Sequence, residues 1–162
     1  MTVVASIQHD AATTDTITLA SLASDAALVA GREGTVVSHE DQEIDSLVGG
    51  KIKLGTSPTT GKQVEIWAYG SYDGTSYSGG ATGTNANLTP QEKTLLRLLA
   101  IIPTNGVTGQ VYTWGPFSMA AAFGGTLPRK TGVFIVHNTG VNLDSTGGNH
   151  EVKRTPIHYT SA

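Results

Sequence analysis

Apolar and polar positions in this chain alternate over short stretches and seldom hold a helical period. Gln63–Tyr69 is the clearest case: Val64, Ile66 and Ala68 fall on one face, Glu65, Trp67 and Tyr69 on the other, as a strand requires. Thr131–Asn138 (TGVFIVHN) is a nearly continuous apolar run, expected as a strand buried on both faces. Gly109–Gly115 sets Val111 and Thr113 against Tyr112 and Trp114, again a strand. Weaker alternation predicts short strands at Thr16–Leu22 and Thr35–Ser38. Ile44–Leu54 reads as strand, bend at Gly49–Gly50, strand. Glu151–Tyr159 closes the chain as a strand that Pro156 interrupts, which favours an edge or a bulge.

One segment carries helix signals. Thr89 is placed to cap, Pro90 is pre-set for the first helical position, and Glu92 stands where a capping box needs it. Leu95, Leu98, Leu99 and Ile102 follow at helical spacing, so a helix is expected over 90–100, with Pro103 ending it. Ile101–Ile102 at its end favours a strand instead. Phe117–Gly125 (FSMAAAFGG) predicts one or two helical turns closed by glycine. Residues 1–15 read as an irregular arm with one extended piece at Val3–Ile7. Residues 71–87 form a polar loop around the hairpin-type pair Asp73–Gly74, long for an idle loop and so expected to make contacts.

The resulting fold class is mostly β: a single-domain β-sandwich or jelly roll at 16–162 with one short helix, preceded by the arm at 1–15. A chain of 162 residues buries enough surface to fold without a metal or disulfide, and it has no cysteine. Only 14% of residues are charged, below the roughly 25% of ordinary domains, so the surface is rich in Ser, Thr, Asn and Gly. That suits extended contact with other proteins. The basic residues form only small pairs such as Lys51/Lys53 and Lys153/Arg154, which argues against nucleic acid as a partner. The first 15 residues lack the pattern of a secretory signal. LLRLLAII at 95–102 is too short for a bilayer and contains Arg97, so no membrane partner is expected.

Candidate chemistry is sparse. GTSPTTGKQ at 55–63 imitates a phosphate loop, but five residues separate Gly55 from Gly61 and Gln63 replaces the magnesium-binding hydroxyl. His39 beside Glu40, Asp41 and Glu43 is the best local cluster for a cation, though a solvated acidic turn explains the same letters. His137 is expected at a strand end, satisfied by backbone or by Asn138. The acids Asp41, Glu43, Asp45 and Glu65 include no two that stand out as a glycosidase pair. Asn87–Leu88–Thr89 fits the glycosylation pattern and carries no weight here. No catalytic, cofactor or metal residue is assigned, and no enzyme activity is expected. The candidate interface residues are Trp67, Tyr69, Tyr72 and Tyr77, able to anchor a protein contact or to stack on sugars.

Three stretches resemble small structural proteins of tailed-bacteriophage virions. They are the segment Ala30–Gly31–Arg32 before a strand, the loop from Gly55 to Gly61 before an aromatic strand, and Leu127–Gly140 near the end; Glu33 departs from the small polar residue of that pattern. The resemblance implies a jelly-roll capsid decoration or stabilisation protein, a non-enzymatic component that binds the outside of the head. Its implied partners are the major capsid protein and neighbouring copies of itself, as a homo-oligomer, and its place is the virion. A tail or neck protein is the near alternative, and a carbohydrate-binding β-sandwich module a more distant one. In this reading 1–15 and 71–87 are the pieces that reach across neighbours.

Overall fold

The computed structural model describes residues 5–39 and 42–161. In chain order the elements are β1 (Ala5–His9), β2 (Thr13–Thr14), β3 (Gly31–Glu33), β4 (Val37–Ser38), β5 (Glu43–Lys53), β6 (Lys62–Ser71) and β7 (Ala86–Leu88). They continue with β8 (Arg97–Thr104), β9 (Val111–Ser118), α1 (Met119–Ala122), β10 (Lys130–His137) and β11 (Glu151–Ser161). The protein is a mostly-β single domain of two antiparallel sheets, one curled into a half-barrel, with one short helix.

The first sheet runs β1-β11-β5-β9, with β2 also against β11; the second runs β7-β3-β10-β6-β8, with β4 also against β10. Each sheet sends one face into a shared core. Val48, Ile52, Trp114 and Val152 come from the first, and Val64, Ile66, Ala68, Val133 and Ile135 from the second. The alternation in Gln63–Tyr69 therefore does put Val64, Ile66 and Ala68 inside. The opposite face is buried as well. Tyr69, Leu88, Leu96, Phe134 and Val136 form a second cluster, which Leu28, Val36, Trp67 and Tyr77 flank. Chain between β6 and β8 lies over this outer face, which explains why β10 is buried along nearly its whole length.

Several strands fall where the pattern put them, and two differ instructively. Ile44–Leu54 does not bend back at Gly49–Gly50; β5 runs straight through, with a register shift in its pairing to β9 between Val48 and Gly50. Glycine is needed there for room, because a Cβ on Gly50 would strike the Glu151 carbonyl and press on the Trp114 ring. Thr16–Leu22 forms no strand; it is a connecting segment whose Ile17, Leu19 and Leu22 still reach the core.

The helix expected over 90–100 is absent. Glu92 is extended, Lys93–Leu95 makes a single 3-10 turn, and Arg97–Thr104 is the edge strand β8 paired with β6. An isolated helix of that length is marginal in water, while the open edge of β6 offers every other residue a partner. The 3.6-residue spacing is accidental: Leu99 and Ile102 of β8 pack on the core, but Leu98 and, in the turn before it, Leu95 face solvent. The predicted turn at Phe117–Gly125 is α1, where the Ser118 side chain caps by accepting from the Ala121 N–H at 2.9 Å and left-handed Gly124 and Gly125 follow.

In the expected arm, the described part pairs with its own chain. Ala5–His9 is zipped antiparallel to Ile157–Ser161, and Thr13–Thr14 lies against Lys153–Arg154. Residues 71–87 fold back over the second sheet. Asp73 closes the tip of this loop by accepting from the N–H groups of Ser76 and Thr75 and from the Ser71 hydroxyl, which holds its carboxyl well below the usual range.

Candidate functional site

The four aromatic candidates separate by environment. Tyr69 is fully buried, and its hydroxyl donates to the Gly34 carbonyl; burial, with the Glu33 carboxylate nearby, raises its pKa far above the usual phenol value. It is an internal residue, a correction to its place among interface candidates: the face opposite Val64 and Ile66 is roofed by the chain's own loop. Tyr77 is part of that roof, meeting Tyr69 edge-on with ring centroids 6.1 Å apart. Trp67 is half-buried under Lys93, whose ammonium lies 5.1 Å from the ring centroid. Tyr72 alone is open, at 83% exposure.

Lys93 and Trp67 meet at Glu65. Its carboxylate accepts from Lys93 Nζ at 2.5 Å, from Trp67 Nε1 at 2.9 Å and from Gln63 Nε2 at 2.7 Å. Burial by itself would raise the Glu65 pKa, and these three donors more than offset it, so the carboxyl titrates below its ordinary value. Lys93 also donates to the Leu28 carbonyl, fixing the segment before β3 onto the sheet. The cluster is an internal clamp.

A second network joins the two sheets. Arg154 of β11 donates from Nε and Nη2 to Asp15 and from Nη1 to the Thr131 hydroxyl of β10. On the far side of Thr131, its hydroxyl meets His39 Nε2 at 2.7 Å, and His39 Nδ1 meets Glu43 Oε1 at 2.9 Å. Thr131 accepts from Arg154 and so has its proton to give to Nε2. His39 is then the neutral tautomer that donates from Nδ1 to Glu43. Burial favours the same neutral form and lowers the His39 pKa, against an opposing pull from Glu43. An acid, a histidine and a hydroxyl in sequence have the outline of a nucleophile relay. The hydroxyl, however, is completely buried and engaged by a guanidinium, so nothing can reach it to react.

Glu40 and Asp41, the other acids of the expected cation cluster, lie outside the described residues. Among the described residues no three His, Asp or Glu converge as metal ligands. His137 is buried at the end of β10, 3.1 Å from the Leu22 carbonyl through Nε2 and 3.0 Å from the Thr139 hydroxyl through Nδ1. Its backbone partner was expected. Asn138 instead accepts from the Gln63 N–H. No helix among the described residues is long and apolar enough to cross a membrane.

A cleft of about 530 Å³ opens between the segment 18–25, the start of β3 and the β7 edge. Hydroxyl and amide side chains (Thr18, Ser21, Ser24, Asn87, Thr89) alternate around it with the apolar Ala20, Leu22, Ala23, Ala30 and Leu88; Arg32 brings a positive charge and Asp25 a negative one. Sequence reading passed over it, because its walls come from segments more than 50 residues apart. Compared with known proteins, the chain matches no family model, no curated protein and no solved structure.

Proposed function

We propose that this chain is a jelly-roll structural protein of a bacteriophage virion, working by contact, most specifically a decoration protein on the outer surface of the head. The observation that carries the proposal is the strand order. With the short strands β2, β4 and β7 set aside, eight remain: β1 pairs with β11, β3 with β10, β5 with β9 and β6 with β8. First pairs with last and fourth with fifth, so the chain is one long antiparallel ribbon rolled into two sheets. That nesting is the one a double Greek key would produce, which supports the jelly-roll reading, an architecture used by capsid and lectin domains. The same architecture serves many functions, so the virion reading also leans on the resemblance of Ala30–Arg32, Gly55–Gly61 and Leu127–Gly140 to virion proteins.

The contact surface in this reading is the stretch 95–111. Leu95, Leu98, Ile101, Val107 and Val111 are each 44–51% exposed, from the turn before β8 to the first residue of β9. Apolar exposure concentrated in one stretch is what a protein interface requires. Strand addition is disfavoured there, since Pro103 has no N–H to offer and a bulge breaks the ladder between Ile66 and Trp67. Capsid protein or a neighbouring copy would therefore meet side chains, not a backbone edge. Burial of Tyr69 and the lysine lid on Trp67 count against the glycan reading, which leaves Tyr72 as its open ring.

The test is co-sedimentation of the purified chain with heads that lack it. The Leu98→Glu/Ile101→Glu double variant is expected to remain folded and to lose attachment. Undiminished binding would remove this surface, and labelling confined to one vertex would move the protein to the tail or neck.

A further inference from the structure

The cleft beside β3 holds a cation that the fold has fixed in place without giving it a counterion. Arg32 donates from Nε to Asn85 Oδ1 at 2.8 Å, from Nη1 to Asn87 Oδ1 at 3.0 Å and from Nη2 to the Asn85 carbonyl at 2.8 Å. All of these acceptors are neutral, and no ion pair among the described residues includes Arg32. The acceptor side is braced in turn: Asn85 Oδ1 also accepts from the Thr18 N–H, and Asn85 Nδ2 donates to the Thr18 hydroxyl. A guanidinium has five N–H groups, so two remain after these bonds.

The acid that shares the cleft, Asp25, does not serve as the missing partner. Its Oδ2 accepts from the Val29 and Ala30 N–H groups, both at 2.7 Å, and its Oδ1 from Ala27 at 3.2 Å. Those backbone donors, Ala30 foremost, hold its carboxyl below the usual range, so the charge is present but turned into its own loop. The cleft thus pairs a pre-oriented guanidinium with hydroxyl and amide groups set among small apolar side chains.

We propose that the Arg32 cleft is a binding site for a small, hydroxyl-bearing carboxylate. A planar fork with spare donors matches a carboxylate in two-point geometry, and fixing it beforehand removes the entropic cost of ordering a long side chain on binding. Thr18, Ser21, Ser24 and Thr89 supply hydroxyls to neighbouring polar groups of the ligand. The site is separate from the 95–111 surface and does not depend on attachment to a particle.

The experiment is an amide-resolved NMR titration of the whole chain with sodium glucuronate, with glucose and inorganic phosphate as parallel probes at constant ionic strength. Glucuronate is expected to give saturable shifts confined to 18–25, 30–32 and 87–89, with glucose giving none and phosphate binding more weakly. Arg32→Gln should weaken glucuronate by about tenfold or more, the loss of a charged two-point contact. Arg32→Lys keeps the charge without the fork and should fall between, which guards against a variant that merely misfolds. Absence of localised shifts, equal response to glucose, tighter binding of phosphate, or unchanged affinity in a folded Arg32→Gln protein would each overturn the proposal.

Discussion

Arg154 and Asp15, 139 positions apart in sequence, form a buried forked ion pair in which Nη2 lies 2.8 Å from Oδ2 and neither side chain is more than 4% exposed. Arg154 also reaches Thr131 on the opposite sheet, so this one side chain ties the chain's beginning, its last strand and the second sheet together.

Removing the arginine leaves the Asp15 charge stranded in the interior. Arg154→Met is expected to lower stability by about 3–5 kcal/mol, whereas Asp15→Asn/Arg154→Met recovers part of that loss because no lone charge remains. Urea unfolding of the three proteins measures it. A loss under ~1 kcal/mol for the single variant would mean that the pair is not buried as described.

His39 and His137 make stability depend on pH. Burial lowers both pKa values from 6.5, so between the folded value and 6.5 the unfolded chain binds protons that the folded chain refuses. Stability from these groups is therefore full above 6.5, declines as pH falls from 6.5 towards the folded value, and levels off below it. The thermal midpoint should drop as pH goes from 7.5 towards 5, and His39→Gln should reduce the slope. A flat profile over that range would contradict the buried neutral imidazoles.

Gly50 tests the packing between β5 and β11. Gly50→Ala would push a methyl group into the Glu151 carbonyl and towards Trp114, and it should cost about 1–3 kcal/mol. Calorimetry on Gly50→Ala beside Gly147→Ala, where a Cβ meets nothing nearby, separates crowding from a general glycine effect.

Two of the tyrosines should respond unequally to substitution. Tyr69→Phe removes the donor to the buried Gly34 carbonyl and is expected to cost about 1–3 kcal/mol. Tyr72→Ala, at an exposed position, should stay within about 0.5 kcal/mol of the parent. Denaturant midpoints decide it.

Lys93→Met takes away the cation over Trp67 and the closest donor to Glu65. Stability should fall by about 1–3 kcal/mol, with a shift in tryptophan emission as the ring loses its lid. The double variant Glu65→Gln/Lys93→Met should be less damaged than the single one. Additive losses would show that the two groups act separately.

Local pattern by itself determined the alternating strand at Gln63–Tyr69, the strand buried on both faces at Thr131–Asn138, and the short helical turn within 117–125. These depend on residues a few positions apart, and side-chain period and capping chemistry are local properties. Tertiary structure decided what covers each face. Residues 90–100 hold good helix signals, yet β8 formed because β6 had an open edge, a fact stored thirty residues earlier. Glu65, Trp67 and Tyr69 looked like an outward face until the loop over the second sheet closed above them. Arg154 read as half of a small basic pair, since its partner Asp15 is distant in sequence and meets it only once β2 lies against β11. Burial of the outer face, the Arg154–Asp15 pair and the Arg32 cleft all arise between segments far apart in sequence, so no short window of sequence contains them.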